Sequence, residues 1–181
     1  RPGSRHRHVG RLGGRGGRTG EGRLRRAQLL GRGLQVEGEL LLALLEAPGF
    51  DAMVEAIRRI VEFTYDYYVA HEYFVRLVVA ENQAKGRHMK RSPALRTVNR
   101  PIVDMLGSVL ARGQAEGRFR PDLDPIDVHM AIAALGMFNV TNQYTFGTLF
   151  QRDMGARGDV PGRRRMVADV ILSWLAPPST R

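Results

Sequence analysis

The residues of this chain whose types and spacing could do chemistry are polar side chains set into apolar helical spacing. Asn82 follows Val75, Val78 and Val79 on one stripe, Asn139, Asn142 and Tyr144 interrupt the apolar run after Leu135 and Phe138, and Tyr67 and Tyr68 close a stripe that begins at Met53. A buried amide without a partner costs about 1–3 kcal/mol, so each one needs a partner. Two arrangements supply it: hydrogen bonding from helix to helix, or a mostly apolar cavity in which a few polar groups orient a small molecule. The residues alone leave both open. The cavity candidates, chosen by face and polarity, are Tyr67, Phe74, Asn82, Met105, Phe138, Asn139 and Asn142.

Reaction chemistry finds little to stand on. There is no cysteine, hence no disulfide framework, thiol nucleophile or zinc knuckle, and a reducing, cytoplasmic setting fits best. No Gly-x-Ser-x-Gly, His-Glu-x-x-His, phosphate loop or kinase set occurs. Asp122, Asp124 and Asp127 surround Pro125 at a helix start, so they read as capping residues and not as a cation site. His129, one turn into the same helix, reads as a satisfied core histidine, and His71-Glu72 as a junction between helices. Asn139-Val140-Thr141 matches a glycosylation sequon but lies mid-helix. The expectation is no catalytic residue, no metal and no cofactor; a small helical enzyme is the weakest alternative.

The elements that position these residues are all helical. Met53, Ile57, Ile60, Val61, Thr64, Tyr67 and Tyr68 recur at three- and four-residue steps and predict a helix over 51–70 after the Pro48-Gly49 turn. Phe74, Val75, Val78 and Val79 continue into a second helix ending near Gly86. Ser92-Pro93 predicts an N-terminus, with helix over 95–116, a kink or break at Pro101, and a stop at Gly117. Asp124, Pro125 and Asp127 start the next helix, expected to reach about Leu149 and apolar nearly all round, so buried against a large core or between core and partner. Met166, Val167, Val170, Ile171 and Trp174 share a stripe in a last helix over 162–175, ended by Pro177-Pro178. No apolar run approaches the ~20 residues of a membrane span.

Charge divides the 181 residues unequally. Of the net +10, residues 1–33 supply ten Arg against the single acid Glu21, together with ten of the 21 Gly, whereas the remainder is nearly neutral. That leaves residues 1–35 as a disordered Arg/Gly-rich tail without apolar periodicity, and residues 36–176 as one all-helical domain. Gly13-Gly14-Arg15-Gly16-Gly17-Arg18 is similar to an RGG segment, which makes a nucleic-acid binder acting through the basic tail the second reading.

Three stretches carry a family resemblance: Tyr68-Val69-Ala70-His71-Glu72-Tyr73-Phe74-Val75-Arg76-Leu77 with Glu81-Asn82; Leu110-Ala111-Arg112-Gly113-Gln114-Ala115-Glu116-Gly117-Arg118-Phe119-Arg120; and Asp124-Pro125 before the helix holding Phe138-Asn139 and Asn142. Together, from Phe50 to Leu175, they resemble the C-terminal regulatory domain of TetR-family bacterial transcriptional regulators. The resemblance implies an all-α helical bundle that dimerises through its last two long helices, 124–149 and 162–175. It also implies a small-molecule effector pocket, operator DNA bound through a helix-turn-helix head, and no membrane partner. In that family the head ends in a Tyr-x-x-Phe-x-Ser/Asn-Lys stretch, and here the Arg/Gly tail stands in its place. Leu34-Gln35-Val36-Glu37-Gly38 can be encoded by CTT CAA GTC GAA GGN, and the same bases read one position later give Phe-Lys-Ser-Lys. The segment upstream of about Leu40 is therefore expected to be an out-of-frame reading of a lost head.

Overall fold

Apolar side chains at helical spacing wind residues 50–70 into a first helix, α1 (Phe50–Ala70), whose buried face carries Met53, Ala56, Ile57, Ile60, Val61, Thr64, Tyr65 and Tyr68. The computed structural model describes residues 49–91 and 100–177, and all regular structure among them is helical. After α1 come α2 (Glu72–Gln83), a 3-10 turn at Met89–Arg91, α3 (Arg100–Ala115), α4 (Pro125–Thr141), α5 (Gln143–Phe150), a second 3-10 turn at Arg157–Asp159, and α6 (Val160–Leu175). By its contacts the chain divides into residues 1–40 and residues 41–181. The expected basic tail and the start signal at Ser92-Pro93 lie outside the described residues, as does Leu95.

The start and stop signals act as capping chemistry predicts. Asp124 accepts the backbone N–H groups of Ile126 (2.7 Å) and Asp127 (3.4 Å), with Pro125 in the first turn, so α4 opens with its orphan donors satisfied. Asp122 instead pairs with Arg120, Nη2 to carboxylate at 2.8 Å. At the end of α3 the N–H of Arg118 reaches the carbonyl of Gly113 at 2.8 Å and that of Gly117 reaches Gln114 at 3.0 Å. This is a Schellman cap, and it places Gly117 at φ +65, where a side chain would be strained. The turn then drops Phe119 back onto α3, so close that a Cβ on Gly113 would lie 2.0 Å from the ring. Arg118 lies over the Phe50 ring at 5.1 Å, and the Arg120 N–H donates to the Leu175 carbonyl at 3.0 Å, tying the turn to both α1 and the end of α6.

One boundary differs from expectation. α3 is described from Arg100 and contains Pro101, and the onset expected near Leu95 lies outside the described residues. The helix expected to run unbroken to about Leu149 breaks at Asn142, whose backbone (φ −108, ψ 5) leaves the helical region. Side chains near the break compete for helix carbonyls: Asn139 Nδ2 donates to Leu135 O at 3.0 Å, Thr141 Oγ1 to Met137 O at 3.1 Å, and Asn142 Nδ2 to Phe138 O at 3.3 Å. Such local bonds offer the backbone an alternative to continuing the helix.

The main core joins Ile57, Ile60, Leu106, Leu110, Phe119, Val128, Ile132, Val167, Ile171 and Leu175, drawn from α1, α3, α4 and α6 and the turn after α3. A second cluster, Tyr68, Val75 and Val140 with Tyr67, Phe74, Ala133 and Met137 against it, joins α1, α2 and α4. α4 packs against each of the other five described helices, which accounts for its apolar character away from the exposed row Ile126, Met130 and Phe138.

Candidate functional site

The sequence Tyr67-Tyr68-x-x-His71-x-x-Phe74 spans the reversal from α1 to α2 and gathers its rings there. His71 ends α1 by donating from Nδ1 to the Tyr67 carbonyl at 2.8 Å, and its ring stacks on Tyr67 with centroids 4.3 Å apart. Phe74 meets Tyr67 edge-on at 5.5 Å and lies parallel to Tyr68 at 6.3 Å. Burial pushes the phenols of Tyr67 and Tyr68 above their ordinary range, so both stay neutral donors. Of the seven cavity candidates, Tyr67 and Phe74 are thus in contact. Phe138, Asn139 and Asn142 stand together at the end of α4, where Phe138 packs edge-on against Phe146 at 5.1 Å.

Met105 lies elsewhere, on α3 against the main core. Asn82 is exposed, with its amide donating to Val78 O at 3.0 Å, so the expected buried stripe on α2 does not extend to it. Helix α2 meets the body around Val75, and two turns on its stripe has rotated out to solvent. All three asparagine amides bond carbonyls one turn back along their own helix and not those of a neighbouring helix. A cleft of about 410 Å³ between α2 and the α4–α5 break is lined by Glu72, Val75, Arg76, Val79, Val140 and Tyr144, with none of the seven among its walls.

Three groups outside the candidate set have more defined surroundings. Glu72 accepts from Arg76 Nη2 at 2.7 Å and Gln143 Nε2 at 3.0 Å, tethering the start of α5 to α2; its spacing from Arg76 is the one signal the sequence offered. Glu81 is buried and accepts from the backbone N–H groups of Met89 (2.9 Å) and His88 (2.7 Å) and from His88 Nδ1 (2.8 Å). These bonds, the Met89 N–H foremost, hold its carboxyl below the usual range. Its donors arrive through a reversal at Lys85 and Gly86, both at positive φ, which no periodic pattern announces. His129 departs from the satisfied core histidine expected: its Nδ1 is buried and has no hydrogen-bond partner, and burial lowers its pKa, favouring the neutral ring. Among the described residues no three His, Cys, Asp or Glu side chains come together as a metal site.

The motif that fixes Phe119 on Gly113 and the cap that opens α4 belong to a region with relatives. Residues 54–171 match the family described as "Tetracyclin repressor-like, C-terminal domain". The chain belongs to the TetR family. The match begins within α1 and ends within α6, so this TetR-family domain takes in all six helices. The HTH-type transcriptional repressor NicS of Pseudomonas putida is 31% identical over 121 residues, which are 67% of this chain and 57% of that protein. The chain therefore aligns with little more than half the length of this TetR-family relative.

Proposed function

We propose that residues 36–176 are the effector-sensing and dimerising part of a transcriptional repressor whose DNA-reading head is not recognisable in residues 1–35. The observation that carries this reading is the family match over 54–171, which leaves the basic tail out and rests wholly on the near-neutral helical body. Repression is the property that NicS carries in its name, and transfer to this chain is part of the proposal. A second copy is the partner for the outer faces of α4 and α6: Ile126, Met130 and Phe138 on α4, and Met166 and Val170 on α6, are 45–64% exposed although the two helices pack together. Apolar rows left open in this way mark interaction surfaces. The effector enters between the central helices, with Tyr67, Phe74, Phe138, Asn139 and Asn142 as its candidate neighbours, and shifts the dimer between arrangements of different operator affinity, a coupling of about 1–3 kcal/mol. The protein acts as a cytoplasmic regulator and not as an enzyme; among the described residues no helix is long and apolar enough to cross a membrane.

Sedimentation of the whole chain at micromolar concentration tests the dimer. The expected result is a dimer that Met130→Glu combined with Val170→Glu converts to a folded monomer; a wild-type chain that stays monomeric overturns the assignment.

A further inference from the structure

The outward stripe of α6 is open from Gly162 to Ser173. Gly162, Met166, Val170 and Ser173 recur at three- and four-residue steps and are all exposed, and with Arg165 and Asp169 they line a groove of about 500 Å³. Nothing in the chain fills it at Gly162, where a Cβ would meet no atom within 4 Å. At about 100° of turn per residue, Arg165 and Asp169 lie on one flank of the stripe and Val170 on the other. Arg58 of α1 holds Asp169 through Nη1 at 3.1 Å, yet the Asp169 side chain is still 57% exposed. Arg165 and Asp169 do not pair along the helix, and among the described residues no hydrogen bond or ion pair reaches Arg165.

We propose that this groove takes α6 of a second copy, running antiparallel, and that Arg165 of each copy pairs with the partner's Asp169. The proposal rests on the dimer reading and adds its orientation and its selectivity. A two-fold interface must be complementary to itself. When a two-fold axis relates two antiparallel helices, the same flank of each faces its mate. The Arg165–Asp169 flank therefore meets itself with the sequence reversed, and unlike charges fall opposite each other twice. Gly162 of each helix then comes level with the partner's Ser173, where two small residues let the backbones approach, while Met166 and Val170 close over the centre. Arg58 engages Asp169 Oδ1, which leaves the other carboxylate oxygen for the incoming guanidinium. A parallel pair would set the charged flank against the partner's Val170 flank and leave Arg165 without an acid. A chain with another charge at either position meets like charges here, so the contact favours a copy of the same sequence.

The test sediments the full chain and its Arg165→Glu and Asp169→Arg variants, alone and mixed, at low salt. Each variant alone sets like charges together twice, and its dimer is expected to weaken about tenfold or more. An equimolar mixture is expected to recover dimers of wild-type affinity, because the mixed pair sets an acid against a base at both contacts. That recovery should fade in about 1 M salt. Arg165→Glu should melt as wild type does, whereas Asp169→Arg also loses the Arg58 pair. If Asp169→Arg fails to fold, Arg165→Glu must still dimerise more weakly than Arg165→Gln, and equal affinities overturn the proposal. Variants that dimerise as wild type does, or weakened dimers that mixing does not restore, overturn the antiparallel pairing and leave the dimer reading intact. A wild-type chain that stays monomeric overturns both.

Discussion

Adding one methyl group at Gly113 should be among the most damaging small changes the domain can suffer. A Cβ at that position would lie 2.0 Å from Phe119 Cδ2, 2.5 Å from Cε2 and 2.7 Å from Cγ, whereas carbon atoms rest about 3.5–4.0 Å apart. The ring must retreat by about 1.5 Å or more, yet Phe119 is 3% exposed and its backbone N–H is held on the Gly113 carbonyl at 3.1 Å. Evicting a buried Phe side chain costs about 3–5 kcal/mol, and the helical preference of Ala over Gly returns up to about 1 kcal/mol. The net loss expected for Gly113→Ala is therefore about 2–4 kcal/mol, a large share of a domain stability of about 5–15 kcal/mol. Equilibrium urea unfolding at fixed protein concentration measures it. A double-mutant cycle isolates the cause: with Phe119→Ala in place there is no ring to displace, and Gly113→Ala should then be neutral or slightly stabilising. A loss under about 1 kcal/mol in the wild-type background, or the same loss in both backgrounds, refutes the reasoning.

Three further outcomes can be checked by melting and denaturation. Lys85→Gly should raise stability by about 1 kcal/mol, because Lys85 sits at φ +56, a left-handed conformation that costs L-residues about that much; a lower melting temperature would contradict this. Glu81 is held below its usual range by the Met89 and His88 donors, so its contribution is complete above the unfolded carboxyl value near ~4.3 and is lost as pH falls through the lower folded value. Glu81→Gln should accordingly lose stability less steeply than wild type below about pH 4, and parallel profiles would count against a contribution from the His88 and Met89 bonds. The depressed pKa of His129 means that the unfolded chain binds the proton more readily, so wild-type stability should decline as pH falls below ~6.5 and through the folded value; His129→Leu should flatten that decline, and an unaltered profile would place its cause elsewhere.

Much of the fold was legible in the sequence because its punctuation is chemical. Asp124, Pro125 and Asp127 announce a helix start whatever surrounds them, and Gly117 announces a stop that the Schellman bonds then realise. The break at Asn142 was not legible, since it depends on which carbonyls three short polar side chains choose within an apolar run. The site was read less well than the fold. Asn82 shares helical spacing with Val75 and Val78, but periodicity does not say where along a helix contact with the body ceases, and contact ends before residue 82. Its neighbour Glu81 is the buried polar group there, satisfied by backbone donors that reach it only after the chain has turned back on itself. Residue type alone likewise gives no means of telling a satisfied histidine from an orphaned one.

The apolar circumference of α4 was compatible with a deep core or with a partner, and the structure shows the core side of it. A helix that packs against five others can bury most of its surface and still leave the row Ile126, Met130 and Phe138 open. Gly136 lies so close to Tyr68 of α1 that a Cβ there would meet the ring at 3.0 Å, whereas Pro125 is in ordinary contact with Gly107 of α3. The two contacts lie about 16 Å apart along the axis, at 1.5 Å per residue. Interiors packed to this density do not deform gradually but change arrangement as units. α4 ends at Asn142, and α5 beyond it is tethered separately to Glu72. The exposed row and His129 thus lie on one helix, bounded by the Asp124 cap and the break at Asn142.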